Sequence, residues 1–117
     1  MIRVLLVDDH PVVRSGLAGL LGGEADIEVV GEADDGAQGV ALAADLRPDL
    51  VLMDLRMPGM DGASATAAIT SAGTARVLVL TTYDTDADIL RAVEAGATGY
   101  LLKDTPREQL VDAVRAA

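Results

Sequence analysis

Four short apolar runs in this chain each end in a residue able to do ionic or hydrogen-bonding chemistry. "IRVLLV" (2–7) leads into Asp8-Asp9-His10, "LVLM" (50–53) into Asp54, "VLVL" (77–80) into Thr81-Thr82, and "YLL" (100–102) into Lys103. Lys103 is the one lysine among 117 residues, against eight arginines. Three carboxylates brought close together repel, and each resists ionisation unless a cation is present. Hard oxygen ligands with open positions suit Mg²⁺, which keeps waters and shares its sphere with phosphate oxygens. An ammonium and a hydroxyl facing them would complete a phosphoryl cradle: one carboxylate nucleophile, one metal, one cation, one donor.

Each piece also has an ordinary structural reading. An Asp after a buried strand caps a helix or forms a turn, a Thr is a β-former, and a lysine on an edge strand discourages edge pairing. Those readings leave unexplained why four separate runs end in complementary chemistry. His10, the only histidine, reads as a loop residue beside the acidic group and not as a relay site.

The chemistry needs elements that bring the run ends together. A fifth run, "IEVV" (27–30), completes the set, and helical spacing fills the gaps between runs. Val13, Leu17, Leu20 and Leu21 share one face; so do Ala37, Val40 and Ala44, then Ile89 with Val93, and Leu110 with Val114. Pro48 ends the second helix and Gly96 suits the end of the fourth. Thr105-Pro106-Arg107-Glu108 reads as an N-cap, a first-turn proline and a capping-box glutamate. Segment 61–72 is alanine-rich and its face is poorly defined.

Strand alternating with helix five times implies right-handed crossovers and a parallel sheet. Runs 1, 3 and 4 are almost continuously apolar, as strands covered on both faces should be. Run 2, with Glu28, and the short run 5 suit the edges. The expected fold is α/β, a flavodoxin-like doubly wound (βα)5 arrangement with a five-stranded parallel sheet in the order 2-1-3-4-5. In that order the carboxyl ends of the strands share one edge, where such sheets bind ligands.

Composition bounds the rest. The chain matches one domain with a single core. It has no cysteine, which excludes disulfides and thiolate metal sites. Nineteen acidic against nine basic residues give a formal charge of −10, which argues against this domain holding nucleic acid itself. The start, "MIRVLLVDDH", is not a signal peptide, and no apolar run is long enough for a membrane span.

"VLLVDDH", "DLVLMDLRMPGMDG", "VLVLTT" and "GYLLKD", in that order and at those spacings, resemble a response-regulator receiver domain of the CheY-like family. The resemblance covers essentially the whole chain. The "DDH" and "GYLLKD" variants are most similar to receivers attached to a LuxR-like helix-turn-helix output domain. By position, the resemblance implies that Asp54 is the phospho-acceptor for a sensor histidine kinase. Asp9 and Asp54 would ligate Mg²⁺, with Asp8 acting largely through water and the Arg56 backbone carbonyl as a further ligand. Thr81 and Lys103 would stabilise the phosphoryl group, and Thr81 with Tyr100 would form the switch. Arg56 and Tyr83 would flank the path of the attacking water and tune phosphoryl lifetime, a bulky pair slowing hydrolysis.

The resemblance further implies a cytoplasmic signalling switch, not an enzyme acting on other molecules, which promotes its own phosphotransfer and dephosphorylation. It would form a homodimer on phosphorylation and touch no membrane. Residues 1–117 would be the receiver domain, and a DNA-binding output domain would lie beyond them, reaching DNA on its behalf. One departure is Asp104 where many family members have proline after the lysine in a cis peptide, so the family's cis geometry does not carry over to the Lys103-Asp104 bond from the resemblance alone. Two other classes stay open: a stand-alone receiver acting through protein contacts, and a Mg²⁺-dependent phosphohydrolase. The haloacid-dehalogenase type of the latter would want Asp-x-Asp after the first strand, where this chain has Asp8-Asp9-His10. There is no glycine-rich phosphate loop of the nucleotide-binding kind.

Overall fold

The computed structural model describes residues 1–81 and 86–117. Strands and helices alternate along the chain: β1 (Ile2–Val7), α1 (Pro11–Gly22), β2 (Ile27–Ala33), α2 (Gly36–Leu46), β3 (Leu50–Asp54), α3 (Gly62–Ala72), β4 (Arg76–Thr81), α4 (Asp86–Glu94), β5 (Gly99–Leu102) and α5 (Arg107–Ala116). All neighbouring strands pair in parallel, in the order β2-β1-β3-β4-β5. The sheet is the flavodoxin-like one expected from the apolar runs.

Alternation along the three central strands divides the core in two, because successive side chains point to opposite faces. Leu5, Val7, Val51, Met53, Val77 and Val79 pack on one face with Ala43 of α2, Ile69 of α3 and Ala92 of α4. Val4, Leu6, Leu50, Leu52, Leu78 and Leu80 pack on the other with Leu21 of α1 and Leu110, Val111 and Val114 of α5. Burial on both faces explains why these runs contain almost no polar residue.

The helices are positioned less simply than hydropathy suggests. α2 turns Gly36, Gly39 and Ala43 inward and leaves Ala37 and Ala44 exposed. A Cβ on Gly39 would lie 2.8 Å from a Val7 methyl, so the helix sits on the sheet through its glycines. α4 buries Asp88 and Ala92, while Val93 is exposed and Ile89 only half-buried. The alanine-rich 61–72 segment is a helix capped by Asp61, whose side chain accepts from Ser64 N at 2.8 Å. Gly73, at φ 69, ends it in the left-handed region. α5 begins one residue later than the capping-box reading requires. Leu110 N donates to Pro106 O, so Pro106 is the N-cap and no side chain caps the helix. Among the described residues there is no cis peptide bond.

Candidate functional site

Strand register sets the site. Val7 pairs with Met53, so Asp8 and Asp54 emerge side by side at the carboxyl ends of β1 and β3. Asp54 pairs with Leu80 and Thr81 with Leu102, which brings the ends of β4 and β5 to the same edge. Backbone bonds hold these exits: Leu55 N donates to Leu80 O at 3.1 Å, and Lys103 N to Thr81 O at 2.9 Å. Arg14 fixes the β1–α1 turn, donating to Asp8 O at 2.7 Å and to Glu32 Oε1 at 3.2 Å.

The structure brings together Asp8, Asp9, Asp54 and Lys103. Lys103 Nζ lies 3.0 Å from Asp8 Oδ2 and 3.2 Å from Asp54 Oδ2. Asp8 and Asp54 are 2 % and 3 % exposed, deep enough that an unpaired charge would be costly. Thr81 is buried at the end of β4. Tyr100 lies on the edge strand, partly exposed, opposite Val79. Arg56 N donates to Asp54 Oδ1 at 3.4 Å, so the loop after β3 folds back on its own carboxylate. The Arg56 guanidinium points elsewhere, donating to Asp88 Oδ2 on α4 at 2.8 Å. Tyr83 and Thr82 lie outside the described residues.

Electrostatics follow from this burial. Desolvation pushes the Asp54 carboxyl up to about 6; Lys103 acts against the shift and the Asp8 carboxylate adds to it. Burial alone would lower the Lys103 ammonium, but hydrogen bonding and charge from Asp8 and Asp54 outweigh it and raise its pKa.

Donor atoms of Asp8, Asp9, His10 and Asp54 lie within 4.8 Å of one another. Asp8 Oδ2, Asp9 Oδ1 and Asp54 Oδ2 are buried oxygens with few protein partners. What faces them is the Lys103 ammonium and, for Asp9, the His10 ring at 3.0 Å. Hard oxygens with unused acceptor capacity are the donor set a small divalent cation takes, so these residues fit Mg²⁺.

His10 is the loop residue beside the acidic group that the sequence implies, its Nδ1 3.1 Å from Asp8 Oδ1 and 3.0 Å from Asp9 Oδ1. One participant escaped the sequence reading. Asp88 is a buried carboxylate on a helix, and apolar periodicity gives no sign of it. The one available signal was its place on the buried face with Ala92, four residues on.

Among the described residues, no helix is long and apolar enough to cross a membrane. A family model described as the response regulator receiver domain matches residues 4–115. The transcriptional regulatory protein LiaR of Bacillus subtilis (strain 168) is 51 % identical over 118 residues, covering 100 % of this chain and 56 % of that protein. The response regulator protein VraR of Staphylococcus aureus (strain NCTC 8325 / PS 47) is 46 % identical over 115 residues, covering 97 % of this chain and 55 % of its own. The chain thus spans about half the length of the curated relatives it matches. A LuxR-family two-component response regulator from Aurantimonas sp. SI85-9A1 superposes with a TM-score of 0.93 at 41 % identity, covering 99 % of this chain and 84 % of that one. With its sheet order, its acidic edge and a family match across nearly its whole length, the chain belongs to the response regulator receiver domain family.

Proposed function

We propose that Asp54 accepts a phosphoryl group from a phosphohistidine on a sensor kinase. The observation that carries this is the buried Asp54 carboxylate, held 3.2 Å from Lys103 Nζ beside Asp8. With its pKa raised to about 6, Asp54 is still mostly ionised near neutral pH and able to act as nucleophile. An Asp54 oxygen attacks phosphorus in line, the P–N bond to the kinase imidazole breaks, and an acyl phosphate remains on Asp54. Lys103 then pairs with a phosphoryl oxygen and Thr81 donates its hydroxyl to another. Asp9, Asp54 and the Arg56 backbone carbonyl would hold Mg²⁺, with Asp8 acting through water. When bound, the ion supplies positive charge against the phosphoryl oxygens. Return of water to the acyl phosphate is the domain's own dephosphorylation, tuned by Arg56 and Tyr83.

The new charge draws Thr81 inward, Tyr100 follows, and the outer surface of α4, β5 and α5 changes. Leu90, Val93 and Tyr100 are exposed on these elements, 56 %, 61 % and 41 % respectively, which suits a homodimer formed on phosphorylation. Residues 1–117 act as the receiver of a longer cytoplasmic regulator whose output domain binds DNA. Relatives of about twice this length, one of them named a transcriptional regulatory protein, support that reading. A phosphohydrolase is less well supported, because His10 stands where its second acid would be.

Intact mass after incubation with acetyl phosphate and Mg²⁺ tests the chemistry. One phosphoryl adduct is expected, absent in Asp54→Ala and in a chelated control. A folded protein that takes no adduct, or takes one in Asp54→Ala, overturns the reading.

A further inference from the structure

The guanidinium of the residue two places after the acceptor is tied to a helix. Arg56 Nη2 lies 2.8 Å from Asp88 Oδ2, across 32 residues of sequence. The partners differ in burial: the Arg56 side chain is 58 % exposed and that of Asp88 only 5 %. Asp88 is therefore the enclosed end of the pair and Arg56 the solvent-facing one. The same helix is pinned a second time, where Arg91 pairs with the α3 cap residue Asp61. Thr70 Oγ1 also donates to Ala95 O at 2.7 Å, just beyond α4. A carboxylate on this anchored helix face holds one nitrogen of the Arg56 guanidinium.

Arg56 has one reason to leave that position. Its backbone already turns around Asp54, donating to Oδ1. A phosphoryl group on Asp54 would place an anion within reach of a long side chain whose planar fork suits phosphate oxygens. Asp88 and the phosphoryl group would then compete for one guanidinium. Held by Asp88, the guanidinium stays clear of the phosphorus and water can approach. Released, it lies over the phosphoryl oxygens, lowers their charge and obstructs the water.

We propose that Asp88 is a positioning residue for dephosphorylation, acting through the Arg56 guanidinium to keep the attacking water's path open. This rests on the reading of Asp54 as the acceptor. It adds to that reading a specific residue on α4, outside the ring of carboxylates, that sets phosphoryl lifetime.

A double-mutant cycle on autodephosphorylation tests it, with the parent protein, Asp88→Asn, Arg56→Asn and the double variant, each phosphorylated with acetyl phosphate and Mg²⁺. Asp88→Asn, which keeps size and hydrogen-bonding capacity, is expected to slow decay by about three- to tenfold. Arg56→Asn, which removes the guanidinium that Asp88 restrains, is expected to decay at least as fast as the parent. In the Arg56→Asn background, changing Asp88 should alter the rate by less than about twofold. An equal effect of Asp88→Asn in both backgrounds, or no effect in either, overturns the proposal while leaving the acceptor reading intact. Absence of any adduct in the folded parent overturns both. Should Asp88→Asn fail to fold, ¹⁵N spectroscopy of the parent guanidinium decides. Slow rotation about the Arg56 Nε–Cζ bond before phosphorylation, altered after it, is expected; free rotation in the unphosphorylated protein overturns the tether.

Discussion

Asp54 ionises against its surroundings, and that has a cost that folding must carry. Its carboxyl is raised from 3.8 to about 6 by burial, with Lys103 offsetting part of the shift. Between those values the folded state binds more protons than the unfolded state, so stability falls as pH rises through about 4 to 6. The loss is roughly 2–3 kcal/mol, at 1.36 kcal/mol per unit. Asp61 titrates in the opposite sense, because hydrogen bonds from Ser64 hold its pKa down and its contribution is lost only as pH falls below the ordinary carboxylate range. The difference between parent and Asp54→Asn isolates the acceptor. In chelator, urea unfolding should show the variant more stable by roughly 1–3 kcal/mol at pH 7.5 and nearly equal to the parent at pH 4. A variant no more stable at pH 7.5 would mean that Lys103 already neutralises the site. At this scale the sequence was informative: the ends of "IRVLLV", "LVLM" and "YLL" do converge, because parallel strands must deliver their carboxyl ends to one edge. The guanidinium of Arg56 was not legible, since its partner lies 32 residues away on a helix.

Helices were legible in number and order, but not always in rotation. Apolar spacing placed α1 and α5 well, where Leu21, Leu110 and Val114 are buried as their periodicity implies. It misplaced the faces of α2 and α4, where packing relies on residues without a hydropathy signal. Gly39 lets α2 approach Val7, and Asp88 occupies an inward position on α4 through its ion pair. Glycine matters most at the start of α3. A Cβ on Gly62 would lie 2.0 Å from Asp54 O and 2.6 Å from Leu55 Cα, both backbone atoms that cannot swing aside. Gly62→Ala should therefore destabilise by roughly 2–3 kcal/mol in urea unfolding, and should slow phosphorylation of whatever remains folded by displacing the acceptor strand's exit. Gly16 in α1 is the control: a Cβ there meets nothing within 4 Å, and no positive φ constrains it. Gly16→Ala should gain roughly 0.5–1 kcal/mol and leave phosphorylation unchanged. If both substitutions cost the same, the close approach behind Asp54 is not what the glycine provides.

The molecule as a whole carries a formal charge of −10, and among the described residues Asp8, Asp9 and Asp54 crowd together at one edge of the sheet. Two kinds of cation could relieve that crowding, and they are separable. A diffuse ion atmosphere screens the whole surface and depends on ionic strength alone. A bound ion acts only where Asp8, Asp9 and Asp54 converge, and stabilises by RT ln(1 + [L]/Kd), about 2.7 kcal/mol at a hundredfold excess over Kd. MgCl₂ should therefore raise the thermal midpoint more than NaCl at matched ionic strength, and the excess should saturate. Asp9→Asn should remove the saturable part and keep the screening part, since Asp9 is less buried than Asp8 or Asp54 and its loss disturbs the core least. Equal effects of the two salts would mean that Lys103 alone balances the carboxylates. A saturable effect that survives Asp9→Asn would move the ion to Asp8 and Asp54. Either result bears on the switch, because a cation already seated beside Asp54 lowers the cost of bringing a phosphate to the most acidic part of an acidic protein.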